Sequence, residues 1–192
     1  MNKPLLGQKI AVLVANGFSE KDLTMTQKSL MTAGANVRIV SMDQGLVNSW
    51  NEQGWGLNFA SDQVINEALA VDYSMLIVPG GQRSVDKLKL TAHTRRFLNG
   101  FLNASKPVAL FGEAVSLLAF SQKGAGYTVS APESMSAELV EAGAEYSEAA
   151  YTISQSLMTG HVDEADRAEY CEAVVEFMIE RGIEEEMESV AA

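Results

Sequence analysis

With 192 residues, 47% hydrophobic and 20% charged, the chain has an ordinary globular composition and is long enough to bury a core without disulfide or metal support. Its formal net charge is −11, and no basic stripe interrupts the acidity, which excludes a nucleic-acid or anionic-membrane surface. The single cysteine, Cys171, excludes an intramolecular disulfide and a CxxC site, so a reducing cytoplasm is the expected compartment.

The first apolar run, IAVLV at 10–14, is too short for a signal-peptide core or a membrane span and reads as a strand. Ser19 to Thr32 follows with a serine N-cap signal and helical period, and Gly34 stops it. VRIV at 37–40 is a second strand, completing a βαβ unit. The stretch from Trp50 to Ala60 reads as a short hairpin. MLIV at 75–78 and VALF at 108–111 are two further strands, apolar on both faces as in a buried parallel sheet.

Thr91 to Asn103 has Phe97 and Phe101 at i, i+4 and reads as a helix, with His93 exposed in its first turn. Glu113 to Phe120 is expected to be a shorter helix. Tyr151 to Thr159 looks like two brief strands joined at Ser154-Gln155. Asp163 to Arg181 carries the clearest apolar stripe, with Ala168, Cys171, Val174, Val175 and Met178 on one face, and Asp163 is its expected N-cap. That stripe places Cys171 in the core as an inert small hydrophobe, not a redox sensor.

From Asp163 onward there are eleven acids against two bases, so the acidity is concentrated in the last helix and in an expected flexible tail at 183–192. No repeat or linker divides the chain, and residues 1–192 read as one domain. Strands alternating with helices predict an α/β fold: a three-layer, doubly wound, flavodoxin-like sandwich with a mainly parallel central sheet. In such a fold ligands bind beyond the carboxyl ends of the strands. The loops at 15–19, 41–43, 79–84, 112–115 and 159–163 are therefore the places for a site.

Three features in those loops carry chemistry. Gly80 and Gly81 can bring backbone N–H groups to a ligand oxygen, as an anion cradle or as a plain tight turn. Gly112, Glu113 and Ala114 lie where a strand breaks into a helix, and Glu113 is either a helix-capping acid or a catalytic carboxylate. His161 precedes the last helix on the ligand side. With two histidines in the chain and no paired spacing, no metal site and no cofactor are expected.

The strings AVLVANGFSEKDL, LMTAGANVRIVS, DYSMLIVPGG, KPVALFGEAVSLLA, APESMSAELVEAGAEY and TGHVDEADRAEYCEAVVEF, in that order over about Lys9 to Met178, resemble the ThiJ/PfpI superfamily. These proteins are relatives of class I glutamine amidotransferase domains. The resemblance implies a cysteine nucleophile at the strand-to-helix turn, where this chain has Gly112. It implies a glutamate near Ser19, with Glu20 and Asp22 just beyond, and a histidine where Ala131 stands. His161 falls where relatives often carry an arginine. KPVALFGEA also resembles the C-terminal domains of large-subunit catalases, which share the fold and lack the nucleophile. A homodimer is implied as well.

Two readings follow. In the preferred one the protein is non-catalytic, and Ser19, Gly80, Gly81, Gly112, Glu113, Ala114 and His161 bind a small anion, carbonyl compound or metabolite, or the chain serves a structural or stress-related role. In the alternative, Glu113 acts with His161 or Glu20 in a cysteine-independent hydrolase, lyase or glyoxalase-type enzyme.

Overall fold

The computed structural model describes residues 3–191. In chain order the elements are β1 (Lys9–Val14), β2 (Phe18–Ser19), α1 (Glu20–Thr32), β3 (Asn36–Ser41), β4 (Leu46–Trp50), β5 (Trp55–Ala60), β6 (Gln63–Val64) and β7 (Met75–Val78). Then come α2 (Gln82–Leu88), α3 (Ala92–Asn103), β8 (Val108–Phe111), α4 (Leu117–Phe120), β9 (Thr128–Val129) and α5 (Ser136–Glu141). The chain closes with β10 (Glu145–Tyr146), β11 (Tyr151–Ser154), β12 (Leu157–Gly160) and α6 (Arg167–Ala191).

The central sheet has the order β11-β12-β8-β7-β1-β3-β6. All its neighbours pair in parallel except the edge strand β11, which is antiparallel to β12. The strand period of two explains why continuous apolar runs form it. Along β1 and just beyond it, Ala11, Leu13 and Ala15 join one core while Ile10, Val12 and Val14 join the other. The first core includes Phe97 and Phe101 of α3, Val85 of α2 and Leu139 of α5; the second includes Leu23 and Leu30 of α1 with Tyr170, Val174 and Met178 of α6. The result is the expected three-layer α/β sandwich.

Local capping sets two helix starts where the sequence places them. Ser19 accepts a hydrogen bond from the Asp22 N–H at the start of α1, and Thr91 accepts one from the His93 N–H at the start of α3. Elsewhere the structure departs from expectation. Gly112–Ser116 is a 3-10 turn and only Leu117–Phe120 is α-helical. The Ser116 hydroxyl donates to the Glu113 carbonyl at 2.8 Å, closing the tighter turn.

Helix α6 starts at Arg167, not Asp163, because 163–166 first close a turn of their own through the Asp166 N–H on the Asp163 carbonyl. It then continues to Ala191, through the stretch expected as a flexible tail. The run of Glu, Met and Ala has high helix propensity and contains no proline. Gly182 is kept within this helix for space: a Cβ there would stand 2.9 Å from Leu5 and 3.1 Å from Met75.

The hairpin is larger than expected, formed by antiparallel β4 and β5, with β2 alongside β4. At the other end of the sheet, Gly160 provides the seat for Tyr170. Its missing Cβ would lie 2.5 Å from the buried Tyr170 ring, whose hydroxyl donates to the Leu110 carbonyl at 3.1 Å and which packs T-shaped against Phe111. Gly160→Ala must displace that ring, and overpacking of this kind costs about 1–3 kcal/mol. A urea titration should show the midpoint falling with the slope unchanged.

Candidate functional site

The chain leaves β1 toward β3 on one side and later returns to β7 on the other, so the sheet has its topological switch point between β1 and β7. Beyond the carboxyl ends of β7, β8 and β12 lies a cavity of about 180 Å³. It is smaller than the several hundred Å³ usual for drug-sized ligands. Its wall includes residues from the 79–81 turn, the 112–113 turn, the 160–162 segment, α1 and the hairpin.

The Gly80-Gly81 turn approaches its neighbours too closely for side chains. A Cβ on Gly80 would stand 3.0 Å from Glu113 Oε2 and 3.1 Å from Asp22 Oδ2. Gly81 has φ +108°, and its Cβ would meet the Gly17 carbonyl at 2.6 Å. The turn presents its two N–H groups as expected, but neither is vacant. The Gly80 N–H donates to Asp22 Oδ2 at 2.9 Å, and the Gly81 N–H donates to Glu113 Oε2 at 2.9 Å. The chain's own carboxylates occupy the cradle expected to receive an external anion.

Gly112 has φ +50°, in the left-handed region where glycine is at ease and other residues are strained. A Cβ built on it would meet only His161 Nδ1, at 3.8 Å, so a side chain here has room and a histidine neighbour. His161 lines the cavity from the exposed side, and its backbone N–H donates to the Ala150 carbonyl. Glu113 is half-buried. Both line the cavity, yet no hydrogen bond joins them among the described contacts.

Three other expected site residues have different roles. Ala114 is fully buried in the α3-side core and does not line the cavity. Ser19 lines the cavity, but its hydroxyl is engaged as the α1 cap and lies 3.5 Å from the Arg167 guanidinium. Glu20 turns away toward the hairpin. Its Oε2 accepts from the Ser49 hydroxyl and from the Leu57 N–H at 2.7 Å, so it braces β4 and β5. Helical geometry explains the split: at about 100° per residue, Glu20 and Asp22 lie about 200° apart around the first turn of α1, sending Glu20 to the hairpin and Asp22 to the sheet.

Asp22 and Arg167 are the residues that sequence reading did not single out as a pair. The Asp22 side chain is 3% exposed and pairs with Arg167, whose Nε also bonds Glu164 at 3.0 Å. Burial pushes the Asp22 carboxyl above its ordinary range, against the lowering effects of Arg167 and the Gly80 N–H. Burial acts to lower the Arg167 pKa, but Asp22 and Glu164 outweigh it and the guanidinium is held above its usual value. One signal was available: Arg167 is the only base in the first four turns of an otherwise acidic segment. Lys21 pairs with Glu52 and Glu164 at the rim, and the Lys21 hydrogen bond leads in lowering Glu164 to about 2.

Cys171 is buried on α6, where desolvation pushes its thiol up to about 12. Ala131, where the resemblance implies a histidine, is a core residue. Among the described residues no cluster of His, Cys, Asp and Glu could hold a metal, and no helix is long and apolar enough to cross a membrane.

A mostly parallel sheet sandwiched by helices, with a sharp turn at a positive-φ residue over the strand ends, defines a flavodoxin-like α/β protein. More narrowly, residues 8–177 match the DJ-1/PfpI family, and the chain belongs to it. It is similar to YraA of Bacillus subtilis, whose name marks it as a candidate cysteine protease: 27% identity over 154 residues, 80% of this chain and 89% of that protein. Catalase HPII of Pseudomonas aeruginosa is 24% identical over 110 residues, covering 57% of this chain and 15% of the catalase.

Among solved structures, the chain superposes on a two-domain protein of Anabaena variabilis containing DJ-1/ThiJ/PfpI-like and ferritin-like domains. The TM-score is 0.79 at 22% identity, over 88% of this chain and 47% of that one, so this chain spans about half its length.

The Glu20 brace has a pH signature. The Ser49 and Leu57 hydrogen bonds hold its carboxyl below the ordinary value of 4.5. A depressed folded-state pKa contributes stability that is present above the unfolded value and lost as pH falls through the folded one. The difference in melting temperature between wild type and Glu20→Gln should therefore be present near pH 7 and shrink progressively below about pH 4.5.

Proposed function

We propose that this chain is a DJ-1/PfpI-family protein that works without a nucleophilic thiol and uses the cavity at the strand ends to bind a small metabolite reversibly. The observation that carries this is Gly112. It stands at φ +50° directly after β8, the strand-to-turn place at which α/β enzymes hold a strained nucleophile. The chain's one cysteine is on α6, buried and held in its thiol form.

Supporting this, the two N–H groups best placed to stabilise an oxyanion already serve Asp22 and Glu113. Oxyanion stabilisation requires donors aimed at the developing charge, and donors committed to carboxylates do not supply it. Glu113 is tied to the Gly81 N–H and makes no described bond to His161, which weakens the paired acid–base alternative. On this reading, what the chain shares with a protein named for cysteine protease activity is the family and its fold.

The test is to place a thiol at the turn. In Gly112→Cys the new side chain would extend toward His161 from a backbone strained by roughly 1–2 kcal/mol. Native Gly112→Cys should react with a thiol reagent at least a hundredfold faster than native wild type, in which only Cys171 is available. Wild type should show no saturable hydrolase or glyoxalase turnover. Robust wild-type turnover that Glu113→Gln abolishes would overturn the proposal.

A further inference from the structure

The geometry points to a small alkylammonium compound, and not an anion, as the ligand class of this cavity; the inference rests on the reading of the cavity as a reversible binding site. The charges in its wall decide the sign. Arg167 is committed to Asp22 and Glu164, and Lys21 to Glu52 and Glu164. The two glycine N–H groups are committed to Asp22 and Glu113. The guanidinium, the ammonium and the two glycine N–H groups are thus already engaged with carboxylates of the chain itself.

Glu113 is the opposite case. It lines the cavity, its Oε2 takes the Gly81 N–H, and neither an ion pair to Glu113 nor a hydrogen bond to its Oε1 occurs among the described contacts. A carboxylate acceptor with spare lone pairs therefore lines the space where a ligand would sit. An ammonium group brings three donors and the complementary charge, and charge-assisted hydrogen bonds are the strong ones.

The remainder of the wall suits a short hydrocarbon attached to that ammonium. Phe111, Val162 and Trp50 contribute apolar surface, and the Trp50 ring already accepts one cation, the Arg83 guanidinium lying 4.4 Å from its centre. The net charge of −11 also raises the local concentration of cations around the molecule. Carboxylates fill the donors of the glycine turn, and Glu113 Oε1 is left as an acceptor beside it.

The experiment compares two probes of equal chain length and opposite charge. The wild-type protein is titrated at low ionic strength with n-butylammonium chloride and with sodium butyrate, followed by amide NMR shifts at Gly81, Gly112 and His161. Butylammonium should bind saturably and at least tenfold more tightly than butyrate. Glu113→Gln keeps the shape and an oxygen for the Gly81 N–H, and should weaken butylammonium at least tenfold while its melting temperature shows it folded.

Equal or tighter binding of butyrate, no saturable binding of butylammonium by wild type, or undiminished amine binding by folded Glu113→Gln would each overturn the inference. These outcomes are separable from those of the broader reading. Fast labelling of Gly112→Cys and absent turnover do not depend on ligand charge, so loss of the ammonium inference alone leaves the thiol-free reading standing.

Discussion

Asp22 is the point at which three distant parts of the chain are joined: the first turn of α1, the Gly80 turn after β7, and Arg167 at the start of α6. Burying a carboxylate costs several kcal/mol unless its charge and lone pairs are met. Here one oxygen faces a guanidinium and the other a backbone N–H. Removing either partner would leave a buried charge uncompensated, so the relative placement of the helices and the turn is strongly specified. The cavity depends on that placement, since α1, the turn and α6 form part of its wall.

The same constraint shapes the chemistry. A turn built from two glycines usually offers donors to an incoming oxygen, but Asp22 and Glu113 reach those donors first. Gly112 then holds the sharp bend at φ +50° with little strain, beside a histidine that has room in front of it. The sharp turn after β8 thus carries a glycine, while the chain's one thiol lies in the core between the sheet and the α1 and α6 helices. A scaffold and its chemistry are separable, because the fold is specified by core packing while reactivity resides in a few side chains at its surface.

Much of the architecture was legible because the responsible physics is local. Four apolar runs bounded by turn residues became β1, β3, β7 and β8, and the alternation of Ala11 and Leu13 with Ile10 and Val12 between the two cores follows from strand period alone. Ser19 and Thr91 cap their helices within three residues. Burial of Cys171 followed from its place on an apolar stripe. Less local features were harder to read. The 3-10 turn after β8 depends on a Ser116 hydroxyl turning back onto the Glu113 carbonyl, and the late start of α6 depends on a separate turn at 163–166.

For the candidate site, the sequence by itself determined which residue types stand at the strand ends: paired glycines after β7, a glycine at the turn after β8, and Glu113 and His161 nearby. It did not determine which of those groups remain free. That was decided by contacts closing over long stretches of chain: 32 residues between Gly81 and Glu113, 58 between Asp22 and Gly80, and 145 between Asp22 and Arg167. Period and capping act within a helical turn, so a sequence displays them directly. Whether a carboxylate meets a backbone N–H many residues away depends on how the layers pack, and only the folded chain brings such partners within 3 Å.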